Sequence, residues 1–153
     1  MRITLLAVGK KMPEWVEIGY SEYARRLNGD CQLQLREIDQ SKGSNPVEIK
    51  AREGKVLVKQ IPKGAHVVAL DVLGKSWTTD QVAVQLERWQ SLGKSVCLLV
   101  GGPEGLSDEC LELADQRWSL SALTFPHPLV RVLVAEQLYR AHSLLNNHPY
   151  HRR

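Results

Sequence analysis

The chain has 153 residues, 43% hydrophobic and 24% charged, the size and balance of one soluble domain spanning 1–153 with a core to bury. Its apolar runs are too short to span a bilayer and no basic, apolar, small-residue leader opens it, which predicts a cytoplasmic protein. Twenty Lys and Arg against seventeen Asp and Glu leave a net charge of +3, which permits an RNA partner without requiring one. The three widely spaced cysteines, Cys31, Cys97 and Cys110, fit neither a disulfide framework nor a metal knuckle.

Arg2 to Val8 reads as an apolar strand broken by Gly9-Lys10-Lys11. Pro13 suits the first turn of a helix that carries Val16, Tyr20, Tyr23 and Leu27 at helical spacing and ends at Asn28-Gly29. Cys31 to Ile38 alternates like a strand with one wet face. After the polar loop Lys42-Gly43-Ser44-Asn45, Pro46 opens a charged helix. Its buried stripe is expected at Val47, Ala51, Val58 and Ile61, with Lys50, Arg52, Lys55 and Lys59 on a solvated or phosphate-touching face.

His66 to Val72 is apolar enough for a parallel strand with neighbours on both sides. Gly74-Lys75-Ser76 is the tail of a phosphate-loop motif whose first glycine would fall at Ala69, so nucleotide hydrolysis is excluded. Thr78, Thr79 and Asp80 offer caps to a helix marked by Val82, Leu86 and Trp89 and closed by Gly93. Ser95 to Val100 is the fourth strand.

Gly101-Gly102-Pro103-Glu104-Gly105 then lies between that strand and a short helix that Ser107 can cap, with Asp108 and Glu109 in its first turn. The spacing is not that of a dinucleotide loop, and two acids there would repel a pyrophosphate. A short strand leads to Leu120-Ser121-Ala122-Leu123-Thr124-Phe125, a mixture of apolar wall and backbone donors suited to a flat heteroaromatic ring.

Pro126 and Pro128 flank His127 before a final helix, Leu129 to about Asn146, that is apolar nearly all round. Such a helix is expected to be buried in the core or against a second copy of the chain. Its few polar residues are Arg131, Glu136, Gln137, Arg140 and His142, with Glu136 and Arg140 spaced for an ion pair. The tail ends in Tyr150-His151-Arg152-Arg153, either a plain polar terminus or an aromatic with cations for a nucleobase and phosphates. No His, Cys or acidic set has metal spacing. The alternation of strands and helices predicts an α/β fold, a mostly parallel sheet of about five strands covered by helices on both faces.

Taken together, Ile3 through Lys10, Gly101 through Leu106, Leu120 through His127, Arg131 with Glu136 through Ala141, and Tyr150-His151 resemble the knotted SPOUT class of methyltransferases over the whole chain. Within that class the resemblance is to small bacterial enzymes of the large ribosomal subunit. It implies a C-terminal deep trefoil knot, a homodimer formed largely through the last helix, and S-adenosylmethionine as methyl donor with no metal. It further implies methylation of N3 of a pseudouridine in 23S rRNA on assembled 70S ribosomes.

Carried over by position, the cofactor contacts fall on Leu70, Gly101, Leu120, Ser121, Ala122, Leu123, Thr124 and Phe125. Arg140 is expected to stabilise negative charge developing on the base, His151 or Glu136 to take the proton, and Tyr150 to orient or stack the base. A knotted methyltransferase acting on tRNA would share the cofactor motifs, whereas a ribosome-binding module without chemistry would bind no S-adenosylmethionine.

Overall fold

The computed structural model describes residues 1–150, so the expectations for His151 lie outside the described residues. Five strands, β1 (Arg2–Val8), β2 (Gln32–Ile38), β3 (His66–Ser76), β4 (Val96–Val100) and β5 (Gln116–Ser119), form one sheet in the order β2-β1-β4-β3-β5. Every pairing is parallel. The helices between and after them are α1 (Glu14–Ala24), α2 (Pro46–Gln60), α3 (Thr79–Ser91), α4 (Asp108–Leu113) and α5 (His127–Leu145). None of the described helices is long and apolar enough to cross a membrane.

Two cores explain the near-continuous apolar strands. Alternate residues leave opposite faces of a strand, so Ile3, Leu5 and Ala7 of β1 join Val96, Leu98 and Val100 of β4 beneath α1, α3 and α5. Leu6 and Val8 join Cys97 and Leu99 beneath α2 and α4. The chain steps from β1 to β2 and from β3 to β4 in one direction across the first face. It steps from β2 to β3 and from β4 to β5 in the opposite direction across the second. Direction reverses whenever the face does, so all four crossovers share one hand. The result puts every strand's carboxyl end on one edge, where the long loops collect.

Local chemistry sets the element ends. Thr78 Oγ1 accepts from the Gln81 N–H at 3.1 Å while the Gln81 side chain accepts from the Thr78 N–H at 2.8 Å, a complete capping box for α3. Ser107 caps α4 through the Cys110 N–H. Strand β3 runs on past Val72 to Ser76, because Leu70 and Lys75 both pair with Trp118 and residues 71–74 loop outward between them. Gly74 permits this: a Cβ there would sit 2.7 Å from the Arg117 backbone. Its place in a Gly-Lys-Ser triplet therefore reflects strand packing. The three cysteines are free and buried, and burial pushes the Cys31 thiol up to about 11 and Cys97 to about 12.

The stripe expected on α2 holds at its carboxyl end, where Val58 and Ile61 pack partly buried against the second core, but not at its start. Val47 is 71% exposed and Ala51 is also exposed, while Ile49, Glu53, Gly54 and Leu57 face inward. A charged residue inside the true stripe and a glycine beside it hid the face from a hydrophobicity pattern. Gly54 lets α2 and α4 meet, since a Cβ there would stand 2.1 Å from Ser107 Oγ and 2.8 Å from its Cβ.

Gly54→Ala would gain about 1 kcal/mol of helix propensity. Against this it would overpack the interface at about 1–3 kcal/mol and displace the Ser107 cap at about 1 kcal/mol more. A net loss of about 1–3 kcal/mol is expected in urea unfolding, and a stabilised variant would show that α2 and α4 do not need this close approach.

Candidate active site

A cleft of about 670 Å³, counted to its open mouth, lies at the carboxyl edge of the sheet, between the ends of β3, β4 and β5 and the start of α5. Leu70, Gly101, Leu120, Ser121, Leu123, Thr124 and Phe125 line it, together with Asp71, Val72, Val100, Gly102, Gly105, Trp118, His127 and Val130. Of the eight cofactor positions expected from the sequence, Ala122 alone is off the wall, exposed on the loop's outer side. Asp71 and Val72 lie in β3, as the sequence predicts, and the register shift within that strand brings them to the cleft as well. That shift requires β5 beside β3, a long-range pairing with no local sequence signal.

Backbone packing shapes the cleft floor. The Gly105 N–H donates to the Gly102 carbonyl at 2.9 Å, closing a tight turn in which Gly105 takes a φ of +83°. A Cβ on Gly101 would lie 2.5 Å from the Gly105 carbonyl carbon, so the glycine is demanded by the turn itself as well as by the cleft. The 120–125 loop is held by its own side chains: Ser119 Oγ donates to the Ser121 carbonyl at 3.1 Å, and Ser121 Oγ accepts from the Leu123 N–H at 3.0 Å.

Behind the cleft, Arg131 is 1% exposed. Its guanidinium pairs with Glu37 at 2.5 Å and donates to the carbonyls of Val8 at 3.3 Å and Gly9 at 2.8 Å. This cation ties α5 to the ends of β1 and β2. His127 is half-buried, and burial together with the Arg131 charge pulls its imidazole below its ordinary range. At neutral pH it is uncharged. Among the described residues, Asp71 is then the one charged side chain on the cleft wall.

The expected catalytic group sits elsewhere on α5. Arg140 donates from Nε to Glu136 Oε1 at 2.7 Å and pairs from Nη2 at 2.5 Å, and the Tyr150 hydroxyl donates to the same oxygen at 3.2 Å. Glu136 Oε2 accepts from Gln137 at 2.9 Å. The Arg140 guanidinium lies 4.9 Å from the Tyr150 ring centre, and that ring packs 4.5 Å from Tyr139. Burial, then the Glu136 charge, pushes the Tyr150 phenol up to about 12, so it stays a donor at neutral pH.

Glu136, Arg140 and Tyr150 are thus brought together, but Arg140 is ten residues beyond Val130, about 15 Å along the helix from the cleft. Tyr23, one of the periodic positions of α1, and Arg26 just past its end, which periodicity does not mark, complete this cluster. Among the described residues, no group of three or more His, Cys, Asp or Glu is placed to hold a metal ion.

One further carboxyl is unusual. Glu53, 3% exposed, accepts from the Ser41 N–H at 2.9 Å and leaves its other oxygen unpaired beside Gly102. Burial raises its pKa more than the Ser41 hydrogen bond lowers it. The folded chain therefore holds this proton to higher pH than the unfolded chain does, and stability falls as pH rises from the ordinary carboxylate range through the raised value. Melting curves should show Glu53→Gln more stable than the parent at about pH 8, with the advantage vanishing toward about pH 4. An advantage independent of pH would remove the buried charge as its cause.

Comparison with known proteins converges on one family. The family model described as predicted SPOUT methyltransferase matches residues 1–151. A protein of Hahella chejuensis called ribosomal RNA large subunit methyltransferase H is 57% identical over 155 residues, covering 99% of each chain. One of the same name from a Marinomonas species is 56% identical, covering 99% of this chain and all of that one. Among solved structures, a probable methyltransferase from Bordetella pertussis superposes with a TM-score of 0.58 at 14% identity, covering 91% of this chain and 93% of the other. A putative methyltransferase from Legionella pneumophila, in complex with bound SAM, does so with 0.51 at 12%, covering 93% and 66%. These structural likenesses speak to the fold.

Proposed function

Since the chain belongs to the SPOUT methyltransferase family, we propose that it methylates N3 of a pseudouridine in 23S rRNA on assembled 70S ribosomes, with S-adenosylmethionine as donor, as a single-domain, cytoplasmic homodimer with a C-terminal trefoil knot. The observation that carries this reading is the cleft: seven of the eight positions inferred for the cofactor, from three separate stretches of chain, line one cavity. The near-identical length and name of the Hahella relative support the ribosomal substrate.

The donor fits the site. The apolar walls of Leu70, Leu120, Leu123 and Phe125 suit an adenine ring, and Gly101, Gly102 and Gly105 border the cleft without side chains, so that a ligand can approach the backbone closely. When bound, S-adenosylmethionine supplies a methyl group already activated by its sulfonium.

On the acceptor side, the Arg140 guanidinium is placed to stabilise negative charge as N3 of the base loses its proton. Glu136 accepts hydrogen bonds on both oxygens, so it serves best to hold Arg140 and Tyr150. The proton then passes to His151 of the tail. Tyr150, with Arg140 and Tyr139 against its ring, orients the base by its edge and hydroxyl.

Distance and exposure support the homodimer. Arg140 is too far along α5 to reach its own cleft, while Val130, Val132 and Leu133 of α5 are only partly covered and Trp15 and Ile18 of α1 are 59% and 61% exposed. A second copy seated on this apolar face would bring its Arg140 to the first copy's cleft. The same surface would suit no membrane partner, lacking a basic amphipathic pattern.

Two experiments test this reading. Labelled methyl transfer is expected to ribosomes carrying the pseudouridine and to neither free rRNA nor tRNA; label on tRNA would overturn the substrate. Arg140→Ala and Gly101→Val are each expected to be inactive alone, and mixing equal amounts after co-refolding should restore about a quarter of parental activity, since half the dimers are mixed and each keeps one intact site. No recovery in mixtures shown to contain mixed dimers would overturn the shared site.

A further inference from the structure

Tyr150 meets α5 because the tail doubles back. The Asn146 N–H donates to the His142 carbonyl at 3.1 Å, Asn147 turns the chain at a φ of +55°, and the His148 N–H donates to the Ser143 carbonyl at 2.8 Å. The tail thereby runs back over the helix, and its tyrosine lands on Tyr139 and Glu136, eleven and fourteen residues earlier.

The remaining wall comes from another part of the fold. The Arg26 guanidinium, just past the end of α1, lies 5.6 Å from the ring centre of Tyr23, 5.4 Å from Tyr139 and 6.0 Å from Tyr150. Glu22, one turn earlier, pairs with Arg26 and holds it over the rings. A planar, weakly hydrated guanidinium is suited to face several aromatic surfaces at once, which a compact ammonium is not.

We propose that Arg26 is a positioning residue for the reaction: it clamps Tyr150 against Tyr139, so that α1 sets where the substrate-facing tail lies relative to Arg140. The clamp rests on the reading above that Tyr150 acts on the acceptor base. Without Arg26, the tail keeps its turn at Asn147 and its contacts with α5, but loses the cation that bridges it to α1. Arg26 is exposed and outside the core clusters, so its removal leaves the fold standing.

The test compares the parent with Arg26→Gln and Arg26→Lys in three measurements: carboxypeptidase trimming through Tyr150 followed by mass spectrometry, S-adenosylmethionine affinity by calorimetry, and kcat with ribosomes. Arg26→Gln should lose Tyr150 roughly five to ten times faster and lower kcat by a similar factor, with cofactor affinity and melting temperature unchanged. Arg26→Lys, which keeps the charge without the plane, should fall between. Trimming of Arg26→Gln at the parental rate would overturn the clamp, and faster trimming with unchanged kcat would overturn its part in positioning. Absence of methyl transfer by the parent would instead overturn the proposed function, with the trimming rates alone then deciding the clamp.

Discussion

The buried guanidinium of Arg131 is the contact on which the placement of the site depends. A cation 1% exposed persists only if paired, and here Glu37 and two backbone carbonyls at the ends of β1 and β2 engage its two terminal nitrogens, while Nε is left without a hydrogen bond. Removing one partner of such a pair costs about 3–5 kcal/mol, so the start of α5 is held firmly against the carboxyl edge of the sheet. His127 and Val130 thereby become cleft wall, and the charge that holds the helix also keeps His127 neutral. Helix geometry then acts as a ruler: with its start pinned at the cleft, α5 carries Arg140 well beyond it. One helix thus carries a wall of the cleft at its start and the Glu136–Arg140–Tyr150 cluster near its end.

A second constraint is close approach of backbone to backbone. Gly74 beside Arg117 and Gly101 beside Gly105 each stand where a Cβ would clash with backbone, and Gly101 borders the cleft. Side chains are absent where the chain folds most tightly on itself, which leaves amides and carbonyls exposed toward a ligand. The glycines are thus required by packing first, and the recognition surface is a consequence. This also accounts for the glycine of the Gly-Lys-Ser triplet, which packs on the neighbouring strand.

The polar chemistry is divided accordingly. The cleft has apolar walls, one carboxylate and an uncharged imidazole, an environment for a compact organic ligand. The far end of α5 concentrates Arg26, Arg140, Glu136 and three tyrosine rings, a cationic and aromatic environment. Each guanidinium there is paired with a glutamate one helical turn away, so the arginines are oriented before any substrate arrives.

Local pattern alone determined much of this protein. Alternating strand and helix signals, with Thr78, Ser107 and Pro46 at helix starts, specify five parallel strands under two helical layers, because periodicity and capping are properties of neighbouring residues. Chain order also placed the glycine turn and the 120–125 loop after strands, hence at one edge. The sequence misled where a buried charge interrupts an apolar stripe, as at Glu53 in α2, since a hydrophobicity pattern reads that position as solvent. Only the tertiary structure decided that a register shift within β3 brings Asp71 and Val72 to the cleft, that Arg131 is an anchor, and that Arg26 closes on a tyrosine over a hundred residues away. Those outcomes rest on long-range pairing of strands and on a tail folding back over a helix, and no window of local sequence contains both partners.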